Sequence, residues 1–210
     1  MHREFFEASM IIKHRGVSPK IDPEAWVAPD ATVCGDVSIG KGCRIGYGAR
    51  LISEGAPIRL GDCCIVMENA VLRAPEGHPL TLGDHCLVGP QAHLAGCTLA
   101  DRVFVATGAS IFHGATLGTG TEVRINAVVH LLTELPPSST VPIGWIAIGN
   151  PAKIFPPEKH DEIWALQQPL DFPAAVYGVD RSDSDVMGQI TRKRSKQLAL
   201  HSDDVEDTSS

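Results

Sequence analysis

Single aliphatic residues return every six positions along this chain, with small or polar residues between them. The first run is Ile21, Val27, Val33, Ile39, Ile45 and Leu51. After short slips the beat resumes as Leu60, Val66 and Leu72, then Leu82, Val88 and Leu94. It continues as Leu99, Val105, Ile111, Leu117, Val123 and Val129. A fixed period of six predicts a parallel β-helix in which each hexapeptide is one short strand and one tight corner. Three such units make a triangular coil of about eighteen residues, with the aliphatic side chains stacked in the shaft. Glycine follows many of these residues, as in Ile39-Gly40, Leu60-Gly61 and Val88-Gly89. A helix would lose roughly 1 kcal/mol at each interior glycine, and its period is 3.6.

Three irregularities break the beat: insertions at 54–57 and 74–79, and a shortened unit between Leu94 and Leu99. Extra residues in a solenoid leave through a corner, so both insertions are expected to project from corners. The expected organisation is an N-terminal arm over 1–16, the β-helix over 17–155, a C-terminal helix and extension over 156–180, and a polar, flexible tail over 181–210. Pro157 can open a helix over 158–168, because proline is tolerated in the first helical turn. Ile163, Trp164 and Leu166 give that helix an apolar stripe. The last ten residues have the composition of a disordered segment. An amphipathic segment around 186–200 is a weaker pattern.

Composition narrows the function classes. The 210 residues carry 18 Lys and Arg against 25 Asp and Glu, a formal charge of −7. The repeats hold no basic stripe, which argues against a nucleic-acid partner. The N-terminus has acidic residues and no apolar run, and nothing later approaches a membrane span. Cys34, Cys43, Cys63, Cys64, Cys86 and Cys97 lie within the repeats without a CxxC pair. They are expected to be small buried hydrophobes in a reducing compartment, the cytoplasm.

Several blocks resemble the gamma-class carbonic anhydrases and their relatives among the left-handed β-helix hexapeptide-repeat proteins. They are Val33-Cys34-Gly35-Asp36-Val37, Pro57-Ile58-Arg59-Leu60-Gly61, Asn69-Ala70-Val71-Leu72, Gly96-Cys97-Thr98-Leu99 and Gly149-Asn150-Pro151-Ala152-Lys153. The resemblance spans roughly 17–156 and implies a left-handed β-helix and a homotrimer. It also implies one metal held by three histidines between protomers, with an open position for water. At the three ligand positions this chain carries Arg73, Pro90 and Ala95. Proline and alanine offer no ligand atom, and a permanently charged arginine repels a cation. No cofactor is therefore expected, and zinc or iron only if other histidines, His85 and His93, rebuild a site. The family's adjacent arginine and acidic residue fall on Ile52 and Glu54, and its glutamine falls on Met67. The block 49–58 also resembles the small β-helical subunits of dynactin, which are structural caps.

Two functions from different classes follow. In the first, a degenerate hydratase site leaves a binding or assembly role. Arg73 then either pairs with Glu68 or, together with Arg59 or Arg50 and near His93, holds a small anion in the interprotomer cleft. In the second, the chain is an acyl-CoA-dependent acyltransferase with His113 or His130 as general base, a reading suggested by the Gly149–Lys153 ending. Alternation along a strand is expected to keep His113 and His130 from sharing a metal.

Overall fold

A computed structural model describes residues 10–207. It is a left-handed parallel β-helix of about 8 turns, followed by helical segments. Three parallel sheets form the walls. The first face holds ten strands, and the second and third hold seven each.

The six-residue beat becomes three inward columns. On the first face Ile11, Val33, Leu51, Leu72, Leu94, Ile111, Val129 and Ala147 are in direct register. The second face stacks Ile21, Ile39, Leu60, Leu82, Leu99, Leu117 and Leu135. The third stacks Val27, Ile45, Val66, Val88, Val105, Val123 and Val141. Nearly all are fully buried. Each coil covers the next, so removing apolar area from water is the main force holding the shaft.

The thiols belong to this interior. Cys43, Cys64 and Cys86 stack at one corner, where their Sγ atoms donate to the carbonyls of Gly61, Gly83 and Ala100 at 3.0–3.1 Å. All six cysteines are free, and Cys63 is exposed.

All three irregularities lie at the corner between the first and second faces. The first-face strands Arg50–Glu54 and Val71–Pro75 are both long and pair over five rungs. The next coil instead turns at once, through Gly96 at φ +53°. A Cβ on Gly96 would lie 2.5 Å from Cβ of His78. Glycine there lets the second insertion fold back and bring the His78 ring 5.0 Å from that of His113.

The two ends depart from the sequence expectation. Met10–Lys13, expected within an arm, is a strand of the first face paired with Thr32–Cys34; residues 1–9 of the arm lie outside the described residues. The expected flexible tail is folded over its described residues, 181–207. The helices are α1 (His160–Gln167), α2 (Phe172–Tyr177) and α3 (Val186–Leu198), and Val205–Glu206 closes the first face antiparallel to Met10–Lys13. In α3, Val186 and Ile190 are one turn apart, and Ile190 is only 9% exposed. Tertiary contacts therefore order a segment whose composition alone would leave it in solvent. Among the described residues no helix is long and apolar enough to cross a membrane.

Candidate functional site

Strand alternation sends Leu72 and Ala74 into the shaft and Arg73 out of the first face. Arg73 pairs across the sheet with Ile52 on one side and Ala95 on the other. Glu54, two residues beyond Ile52, shares that outward side. Its carboxylate accepts from Arg73 Nη2 at 2.6 and 2.7 Å. From α3, Arg194 approaches the same carboxylate with two donors, Nη1 at 2.8 Å and Nη2 at 2.9 Å. Two guanidiniums thus share one acid whose side chain is only 9% exposed. Burial opposes the charge on Glu54, but the hydrogen bonds from Arg194 and Arg73 outweigh it and hold the carboxyl below its ordinary value.

A cavity of about 160 Å³ lies beside this cluster, between the first face and helices α2 and α3. Arg73, His93 and His113 line it from the sheet, and Phe172, Tyr177 and Arg194 from the helices. Burial lowers the pKa of His93, helped by the Arg73 charge. Burial, with His78, Arg73 and His93 around it, lowers His113 to about 4. Both rings are neutral near pH 7. Nδ1 of His113 is buried without a hydrogen-bond partner. A bare buried lone pair costs less than an orphaned N–H, so the proton belongs on Nε2.

The other candidates are placed as follows. Glu68 is exposed at a corner and does not pair with Arg73; Glu54 does, because the sheet register puts it on the same outward row. Arg59 lies on the second face, bound to Asp36 at 2.8 Å, and takes no part in the cavity. Arg50 is exposed, with Nη1 on the Gly48 carbonyl. His93 opens the strand His93–Ala95 rather than sitting at a corner, since the shortened unit begins only after it. His85 is exposed in the turn between the second and third faces, so His85 and His93 are not brought together. His130 stands in the row of Phe112, the ring centroids 6.2 Å apart, and burial lowers its pKa. The sequence reading missed Arg194, in the tail expected to be flexible, and Tyr177, in the extension expected over 156–180.

Residues 18–53 match the family described as "Bacterial transferase hexapeptide (six repeats)". Residues 36–74 and 79–113 match "Hexapeptide repeat of succinyl-transferase". The chain is 31% identical over 157 residues to gamma carbonic anhydrase 1, mitochondrial, of Arabidopsis thaliana, covering 72% of this chain and 55% of that protein. It is 29% identical over 198 residues to gamma carbonic anhydrase 2, mitochondrial, of the same plant, covering 90% of this chain and 69% of that one. A crystal structure of a Bacillus cereus protein assigned as an acetyltransferase superposes with a TM-score of 0.60 at 21% identity. The match covers 89% of this chain and 96% of that one, a likeness of fold. The chain is a hexapeptide-repeat protein. Within that class it is gamma-carbonic-anhydrase-like.

The residues at the implied metal positions do not fit a metal. Arg73 is committed to Glu54, Ala95 presents a methyl group, and Pro90 occupies a corner turn.

Proposed function

We propose that this gamma-carbonic-anhydrase-like chain does not hydrate carbon dioxide and instead binds a small carboxylate or phosphate in the cavity between the first face and helices α2 and α3. The observation that carries this reading is the pairing of two arginines with one buried carboxylate. Arg73 and Arg194 bring two positive charges against the buried carboxylate of Glu54, and the other acid lining the cavity, Glu76, is exposed to solvent. Among the hydrogen bonds of the described residues Arg73 uses only Nη2, which leaves Nη1 and Nε for a ligand. A charge-assisted bond to an anion there is roughly twice as strong as a neutral one. Nε2–H of neutral His113 adds an uncharged donor. At about 160 Å³ the space is below the usual range for larger ligands and suits an anion of a few heavy atoms.

The acyltransferase reading has less support. An imidazole with a pKa of about 4 is a weak base at neutral pH, and His113 is the histidine of the expected pair that lines the cavity. A homotrimer is the assembly proposed. The outward row of the third face carries Trp26, Ile65, Leu87 and Phe104 beside the charged Arg44 and Glu122, with Trp26 43% and Ile65 40% exposed, whereas that of the second face is polar. Closed threefold packing of that wall would cover its apolar side chains. The free buried thiols suit a reducing compartment such as the cytoplasm.

The test is calorimetric titration with inorganic phosphate and with a small dicarboxylate. Saturable binding of either to the full chain, lost in Arg73→Met, is expected. Absence of binding by both, or binding unchanged in Arg73→Met, would overturn the proposal.

A further inference from the structure

Away from that cavity, three segments far apart in sequence meet at the first end of the first face. His14 follows the strand Met10–Lys13, and Cys34 ends the neighbouring strand Thr32–Cys34. His201 lies in the short 3-10 turn Ala199–Asp203, and Asp204 immediately precedes the closing strand Val205–Glu206. Gly35, at φ +79°, opens the space that His14 occupies, because a Cβ there would lie 3.3 Å from that of His14.

Four potential ligand atoms converge. Nδ1 of His14 is 2.5 Å from Asp204 Oδ1, and Nδ1 of His201 is 2.7 Å from Asp204 Oδ2. Cys34 Sγ is 3.7 Å from the same Oδ2. All four donor atoms lie within 4.8 Å of one another. The His14 and His201 rings stack with centroids 4.2 Å apart. His14 and Cys34 are 4% and 3% exposed, and the Asp204 and His201 side chains 16% and 27%.

We propose that His14, Cys34, His201 and Asp204 form a structural site for a divalent transition-metal ion, zinc by its donor set, that clips the C-terminal segment to the first coil. Metal–ligand bonds of about 2.0–2.3 Å at tetrahedral angles place donors about 3.3–3.8 Å apart, so outward movement of about 1 Å admits the ion. Two imidazoles, one thiolate and one carboxylate balance a divalent charge, and this mixture of nitrogen, sulfur and oxygen suits zinc rather than magnesium or calcium. On loading, the ion takes the place of the protons between the two Nδ1 atoms and Asp204, each imidazole staying neutral with its proton on Nε2, and the Cys34 thiol proton leaves to solvent. Four protein ligands complete the tetrahedron, which marks a structural site. A groove of about 320 Å³ bordered by His14, Asp36 and Ser53 gives an ion access. The site is independent of the anion cavity, although the segment it fixes also carries Arg194.

The experiment uses the full chain purified without a histidine tag or chelator, assayed for metal, then stripped and titrated with cobalt(II). The expected result is one ion per protomer and, with cobalt, a thiolate-to-metal charge-transfer band with the strong visible bands of a tetrahedral ion. Cys34→Ser should abolish the charge-transfer band. His201→Ala, at a partly exposed turn outside the coil, should weaken cobalt binding by about 100-fold or more, since even outer-shell changes cost about 10–100-fold. His93→Ala should leave the spectrum unchanged. A chain that retains no metal and shows no charge-transfer band under excess cobalt would overturn the proposal. A band unchanged in both Cys34→Ser and His201→Ala would do the same.

Discussion

Replacing Glu54 by glutamine tests the charge cluster directly. The substitution keeps the shape and removes the one anion that faces Arg73 and Arg194, leaving two guanidiniums against each other on a largely covered wall. Removing one partner of a fully buried pair costs about 3–5 kcal/mol. The Arg73 and Arg194 side chains retain 28% and 23% exposure. Water therefore relieves part of the penalty, giving about 2–3 kcal/mol. In a chain of this length 1 kcal/mol moves the melting temperature by about 2–4 °C, so the variant should melt about 4–12 °C lower. Adding Arg194→Met removes one stranded cation and should recover part of the loss. The assay is chemical and thermal unfolding of the wild type, both single variants and the double variant. A change below about 0.5 kcal/mol in Glu54→Gln, typical of an ordinary surface site, would refute the reasoning. The pH dependence has a fixed sign. The folded pKa of Glu54 is depressed, so its contribution is full above the unfolded carboxyl value of about 4.3 and is lost as pH falls through the lower folded value.

Other expectations follow from the same geometry. Leu94→Ala, in the middle of the first inward column, should cost about 2–5 kcal/mol by denaturant unfolding, because neighbouring coils cannot collapse fully into the void. Ile65→Glu, on the exposed row of the third face, should leave the melt of an isolated protomer nearly unchanged while converting a trimer to monomers in light scattering. His113 should remain neutral in an NMR titration until close to pH 4. Its folded value lies below the unfolded value of about 6.5, so the stability it contributes is present above pH 6.5 and lost as pH falls towards 4.

The coil was legible because its signal is periodic and local. Each column residue from Ile21 to Val129 was marked by spacing alone, and the register places them in three stacks. The corner irregularities were legible for the same reason, as slips in the beat. Arg73 could be singled out from its place after Val71-Leu72, but its partner was misassigned. Glu68 is nearer in sequence, whereas Glu54 is nearer in the sheet, and five rungs of register between Arg50–Glu54 and Val71–Pro75 decide the matter. Both insertions follow first-face strands at the same corner of successive coils, a signal that could have suggested the pairing. Of the C-terminal segment, the helices at His160–Gln167 and Val186–Leu198 were foreshadowed at 158–168 and 186–200, but their docking on the first face was not legible. Its order depends on contacts such as Arg194 with Glu54 and Asp204 with His14, separated by 140 and 190 residues, and no local composition reports them.

The most direct test of the central claim is stopped-flow carbon dioxide hydration by the full chain, prepared with zinc and separately, without oxygen, with iron(II). The account predicts no saturable rate above buffer in either form, because Arg73, Pro90 and Ala95 offer no site for the hydrating ion. A saturable, metal-dependent rate that disappears in His93→Ala would contradict it and place a working hydration site on the first face.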